Sequence, residues 1–135
     1  MLAFFYLLAC AAAVTPGHYK GDPVSVGLGY ELRDVKAIIG GDSRLSLSIH
    51  SAFGSVNCNR KRHYQAFEES GDRLILTDTK NANCVLKSAR DVGVVVRSIT
   101  FTPDTIRIRI TRKMTFFWTI NKTITLRLQD GAFTL

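Results

Sequence analysis

The sequence predicts a mainly β protein of the α+β kind: a small curled antiparallel sheet or partial β-barrel, with one helix after Cys84. Three observations predict it. Short segments of alternating apolar and polar residues recur along the chain, turn-forming residues separate them, and a single stretch changes to helical spacing. The 135 residues fit one domain, and 46% hydrophobic against 21% charged residues supplies enough apolar surface for a packed core.

Residues 1–13 carry no charged side chain and run Leu2-Ala3-Phe4-Phe5-Tyr6-Leu7-Leu8-Ala9 before Cys10 and three alanines. Such a run is too short to span a bilayer as a helix. It fits the apolar region of a signal peptide, with Ala11-Ala12-Ala13 as the small residues before cleavage, so a secreted or cell-envelope location is expected. A buried N-terminal helix or strand is the alternative. Leu7-Leu8-Ala9-Cys10 also loosely resembles a lipobox, in which Cys10 would be lipidated and retained, but no basic residue precedes it. Residues 14–23 contain Pro16, Gly17, Gly21 and Pro23 and read as an irregular lead-in to a domain spanning 24–135.

Within that domain, 24–34 is a first strand, ended by a turn at 38–42. Leu45, Leu47 and Ile49 alternate with Ser46, Ser48 and His50, which is the period of a half-buried strand. Further strands are expected at 52–58, 63–67 and 73–77. Val85, Leu86, Ala89, Val92, Val95 and Val96 then give helical intervals, with Asn83 as a candidate cap. The β-branched run Val94-Val95-Val96 lets a strand compete for the second half of this segment. Strands follow at 98–102 and 106–110 around Pro103-Asp104, and at 115–120 and 123–128 around a turn at Asn121-Lys122. A short terminal strand is expected at 132–135.

Loss of residues 1–13 would remove Cys10 and leave two cysteines, so in an oxidising compartment a Cys58–Cys84 disulfide is expected. Closing a loop of that length contributes roughly 3–4 kcal/mol in the chain-entropy model. Two buried free thiols are the alternative.

The order of motifs resembles the META domain, or HslJ-like, family. Gly29-Tyr30-Glu31-Leu32 stands where that family opens with an aromatic residue and a leucine. Val56-Asn57-Cys58-Asn59 stands at its Gly-Cys-Asn motif, with Tyr64 after it, and Thr79-Lys80-Asn81-Ala82-Asn83-Cys84 at its Met-Ala-Cys ending. Leu126-Arg127-Leu128-Gln129-Asp130-Gly131 matches the final strand and turn. Asn57 replaces the motif glycine, and Arg60-Lys61-Arg62 occupies a loop that is small and glycine-containing in the family. The resemblance implies a small exported or lipid-anchored β domain, linked to stress resistance or virulence, with no known catalytic residues.

No pattern here demands a reaction. Cys58 and His63, five residues apart, are the one thiol–imidazole pair that could serve a cryptic hydrolase; that odd spacing points them to opposite faces of a strand unless a turn intervenes, and a disulfide would remove the nucleophile. His18, His50 and His63 are scattered, so no metal site is expected, nor any other cofactor. The expected activity is therefore binding, without catalysis.

The net charge of +7 lies wholly beyond residue 13. Arg60, Lys61 and Arg62 form one basic cluster; Arg107, Arg109, Arg112 and Lys113 form another. Because Arg107 and Arg109 alternate with isoleucines, their side chains are expected on the outer face of a strand, where an anionic headgroup, polysaccharide or acidic protein could be held. The plain alternative is a solvated face that maintains solubility. Export and the lack of an RNA-binding signature argue against nucleic acid. Membrane association is expected only through a retained N-terminus or this basic face. Phe116-Phe117-Trp118 offers an aromatic patch if one side is exposed, and Asn121-Lys122-Thr123 is an N-glycosylation acceptor. The expected partner is a protein or an anionic envelope component. A small secreted inhibitor or effector, blocking another protein's site with a rigid loop at 59–63, is the alternative.

Overall fold

The computed structural model describes residues 13–27, 29–51, 54–57, 65–77, 84–116 and 118–129. In order these form β1 (Gly17–Gly21), β2 (Val24–Ser25), β3 (Glu31–Ile39), β4 (Arg44–Ser51), β5 (Gly54–Asn57), β6 (Gln65–Ser70) and β7 (Arg73–Leu76). Helix α1 (Cys84–Asp91), β8 (Val95–Thr102), β9 (Thr105–Thr115) and β10 (Trp118–Leu128) follow.

Eight of the strands close a barrel. β1, β3, β4, β6, β7, β8, β9 and β10 each pair antiparallel with the next, and β10 returns to β1. This is an up-and-down barrel; β2 and β5 are short additions on β3 and β4. The sequence suggests only a partial barrel because the closing strand lies in the segment read as irregular. Glycines and prolines punctuate 14–23, yet Tyr19 pairs with Leu128 on one side and Ala37 on the other. Closure satisfies the backbone groups that would otherwise line two exposed edges.

Inward positions carry the apolar residues that the alternation requires. Ile106, Ile108 and Ile110 of β9 face Leu126, Ile124 and Lys122 of β10 in register, and all but Lys122 are buried. Leu45, Leu47 and Ile49 of β4 fill the opposite side, together with Leu32, Val35, Ala37 and Ile39 of β3. An eight-stranded barrel is just wide enough for side chains to fill its interior, which is what these residues do. In β1 the inward series Gly17, Tyr19, Gly21 is small, large, small, and the Tyr19 hydroxyl donates to the Thr15 carbonyl at 2.6 Å.

Register shifts interrupt three ladders, one between Trp118 and Thr119 at the β9–β10 tip and two that re-phase the alternation within the wall. The β3–β4 register shifts between Arg33 and Lys36, where Asp34 adopts φ +50°, so Leu32 and Val35 both point inward although three positions apart. A second shift between Val96 and Ser98 does the same for Val96 and Ile99 in β8.

Helix α1 matches the expected position. Val85 and Ala89 bury its inner face, Val92 continues it just beyond the last turn, and the helix packs against β5 and β8. Its end is a Schellman motif: Val94 N–H donates to Ala89 O at 2.9 Å, Gly93 N–H to Arg90 O at 3.0 Å, and Gly93 takes φ +85°. The Val92 carbonyl accepts from the Tyr30 hydroxyl, which ties the helix end to the start of β3. The competition between helix and strand is resolved by division, with the helix ending at Asp91 and β8 starting at Val95.

The expected hairpin turn at Asn121-Lys122 does not form. β10 runs unbroken from Trp118, Asn121 pairs with Thr111, and the turn lies between Thr115 and Trp118. The asparagine suggests a turn, but isoleucine and threonine on both sides give continuous strand propensity, and β9 is long enough to pair with all of it.

Candidate functional site

The outer wall of the barrel carries the charge. Arg107 and Arg109 are exposed on β9, paired with Thr100 and Ser98 of β8 on one side and with Thr125 and Thr123 of β10 on the other. The alternation of the sequence placed them there, with the isoleucines between them inside.

Arg112 belongs elsewhere. Its Nη1 donates to Val26 O at 2.9 Å and Gly27 O at 3.3 Å, and its guanidinium lies 4.5 Å from the centre of the Tyr30 ring. It clasps the loop between β2 and β3 against the barrel wall, a structural contact that the exposed Arg107 and Arg109 do not share. Gly27 lies in this clasp with φ +96°, and a Cβ there would overlap Ile120 Cδ1.

Lys113 sits at the tip of the β9–β10 hairpin, its ammonium 5.4 Å from the centre of the Phe116 ring. Phe116 is 91% exposed and Trp118 53% exposed. Asn121 is exposed within β10. Arg60, Lys61, Arg62, Cys58 and the 59–63 loop lie outside the described residues, as does the terminal strand expected at 132–135. Cys84 opens α1.

Sequence reasoning missed a third basic feature. Lys20 of β1 pairs with Lys36 of β3 and with Arg127 of β10, which sets three cations side by side across three strands. Each is isolated in sequence, so no charge run marks the row. Only strand register joins them.

Beside this row the wall has a groove of about 410 Å³, lined by His18, Lys20, Lys36, Ser46 and Ser48 among others. A separate slit of about 290 Å³ lies between β7 and β8, where Arg73 and Thr100 form the sole register pair; Leu76, Leu86 and Val96 line it. At the end of the barrel, Asp104 accepts from the hydroxyls of Thr105 (3.0 Å) and Thr102 (3.1 Å). Those bonds, more than the nearby Arg127 charge, hold its carboxyl below the usual range. Burial raises the Tyr19 phenol, with the Asp104 charge adding to the effect.

Among the described residues no group of three His, Cys, Asp or Glu is gathered to hold a metal, and no helix is long and apolar enough to cross a membrane. No family model, curated protein or solved structure matches the chain.

Proposed function

We propose that this protein is an exported, non-catalytic binding module that docks on an anionic lipid surface through the β9–β10 hairpin. One observation carries the reading. From residue 105 to residue 129 the chain has no Asp or Glu, Arg107, Arg109, Lys113 and Lys122 are exposed on the two strands, and the hairpin ends in exposed Phe116 and Trp118.

Aromatic side chains favour the headgroup level of a bilayer, where an apolar ring and a polar edge are both accommodated. Each basic side chain close to an anionic leaflet adds about 1 kcal/mol of attraction, which salt weakens. Lys113 over the Phe116 ring puts a cation beside the inserting group. The exported location comes from the apolar segment 2–9, and the META-domain resemblance is compatible with an envelope role in stress resistance or virulence.

Trp118 is the single tryptophan of the chain, so its emission reports on the tip alone. Vesicles of phosphatidylcholine with phosphatidylglycerol should shift that emission to the blue, pure phosphatidylcholine should not, and Phe116→Ala should weaken partition about tenfold, as partial loss of one buried ring implies. Unchanged emission together with no co-sedimentation would dispose of the reading.

A further inference from the structure

We propose that Lys36, Lys20 and Arg127 form a binding site on the outer wall for a phosphorylated ligand carrying two adjacent anionic groups, such as a diphosphate. Lys20 stands directly opposite Lys36 on one side and Arg127 on the other. Like charges placed opposite each other in a sheet repel and destabilise it. None of the three makes an ion pair within 4.0 Å among the described residues, where the ion pairs are Arg33 with Glu31 and Arg44 with Asp42. Asp104 feels the Arg127 charge only as the weakest contribution to its own acidity, its carboxyl being held first by Thr105 and Thr102. A bound anion supplies the missing counter-charge.

Two further features point the same way. The register continues to Ser48, which pairs with Lys36 from β4. Lys20, Lys36 and Ser48 line the groove described above, whose wall includes Ser46 at 2% exposure and the half-buried His18. Cations therefore stand beside hydroxyl and imidazole groups in a concave surface. Neighbouring strands lie about 4.8 Å apart, so the three cations span roughly 10 Å. That exceeds one tetrahedral oxyanion and suits two linked ones. The row is far along β10 from the Trp118 tip, so it is a site distinct from the hairpin that docks on lipid.

Titration of the full chain with sodium pyrophosphate, followed by amide NMR at about 10 mM salt where the Debye length is roughly 30 Å, tests the proposal. Pyrophosphate should shift residues 18–20, 36–38 and 127–129 saturably, and bind at least tenfold more tightly than orthophosphate. Lys20→Ala should abolish that binding while leaving the thermal midpoint of the free protein unchanged or raised, because it relieves two like-charge contacts. Lys113→Ala should leave pyrophosphate binding intact. Shifts reproduced by sodium chloride at equal ionic strength, or equal pyrophosphate affinity in Lys20→Ala, would overturn the site. Vesicles containing a phosphoinositide bisphosphate separate two sources of the same chemistry. If Lys20→Ala also lowers binding to these vesicles, the ligand is a lipid headgroup; if it lowers only pyrophosphate binding, the ligand is a soluble phosphate compound. Either result supports the site.

Discussion

Replacing Arg112 by alanine should destabilise the barrel without affecting attraction to an anionic surface beyond the loss of one charge. The side chain makes two hydrogen bonds to the Val26 and Gly27 carbonyls, at 2.9 and 3.3 Å, and a cation–π contact with Tyr30 at 4.5 Å. A hydrogen bond from a charged donor contributes about 1.5–3 kcal/mol, and the longer second bond deserves the bottom of that scale or less. The ring contact adds about 1 kcal/mol at a half-buried site. Together they imply a loss of about 3 kcal/mol, a large fraction of the roughly 5–15 kcal/mol that holds a domain of this size.

Urea denaturation followed by far-UV circular dichroism measures this directly. With a slope of about 1.5 kcal/mol per molar, the midpoint should fall by about 2 M at unchanged slope. Arg112→Lys keeps the charge but not the planar fork, so it should recover less than half of the loss. An unchanged midpoint in Arg112→Ala, combined with a several-fold loss of vesicle binding, would show that the side chain serves a ligand and refute its role as a clasp.

Other consequences follow from the same geometry. Ile108→Ala, at the centre of the filled interior, should cost about 3–4 kcal/mol in the same denaturation experiment, since no neighbouring strand can collapse into the void. Gly27→Ala should lower the thermal midpoint by forcing a side chain into a left-handed backbone against Ile120, at a cost of about 1–3 kcal/mol. Tyr30→Phe removes the donor to the Val92 carbonyl, and amide exchange across α1 should accelerate before global stability changes much. The folded state holds the Tyr19 phenol above its ordinary value of 10.0, so the unfolded chain ionises first. Stability from this group is complete below pH 10 and lost as pH rises through the folded-state value, and Tyr19→Phe should flatten the alkaline limb of a melting curve.

Much of the strand content was legible because apolar alternation is local. Leu45, Leu47 and Ile49, and Ile106, Ile108 and Ile110, show the period of two in any window that contains them, and so locate Arg107 and Arg109 on the outside. The helix after Cys84 was legible from its own short-range spacing, although that spacing ran on to Val96 and did not mark the end at Asp91. The turn at Asn121 misled because residue preference is a local signal, whereas the length of β10 is set by its partner strand. Closure was hidden in Gly17–Gly21, whose glycines look like loop until β3 and β10 bracket them.

The sequence by itself determined the mainly β class, the alternation that turns Leu45, Leu47, Ile49, Ile106, Ile108 and Ile110 inward, and the excess of cations in the last third of the chain. Each of these depends on neighbours a few positions apart. The tertiary structure alone decided that the sheet closes, that Arg112 turns toward backbone carbonyls, and that Lys36, Lys20 and Arg127 stand in one row. Register between strands distant in sequence produces all three, because a hydrogen-bonded ladder can align residues that no linear pattern connects.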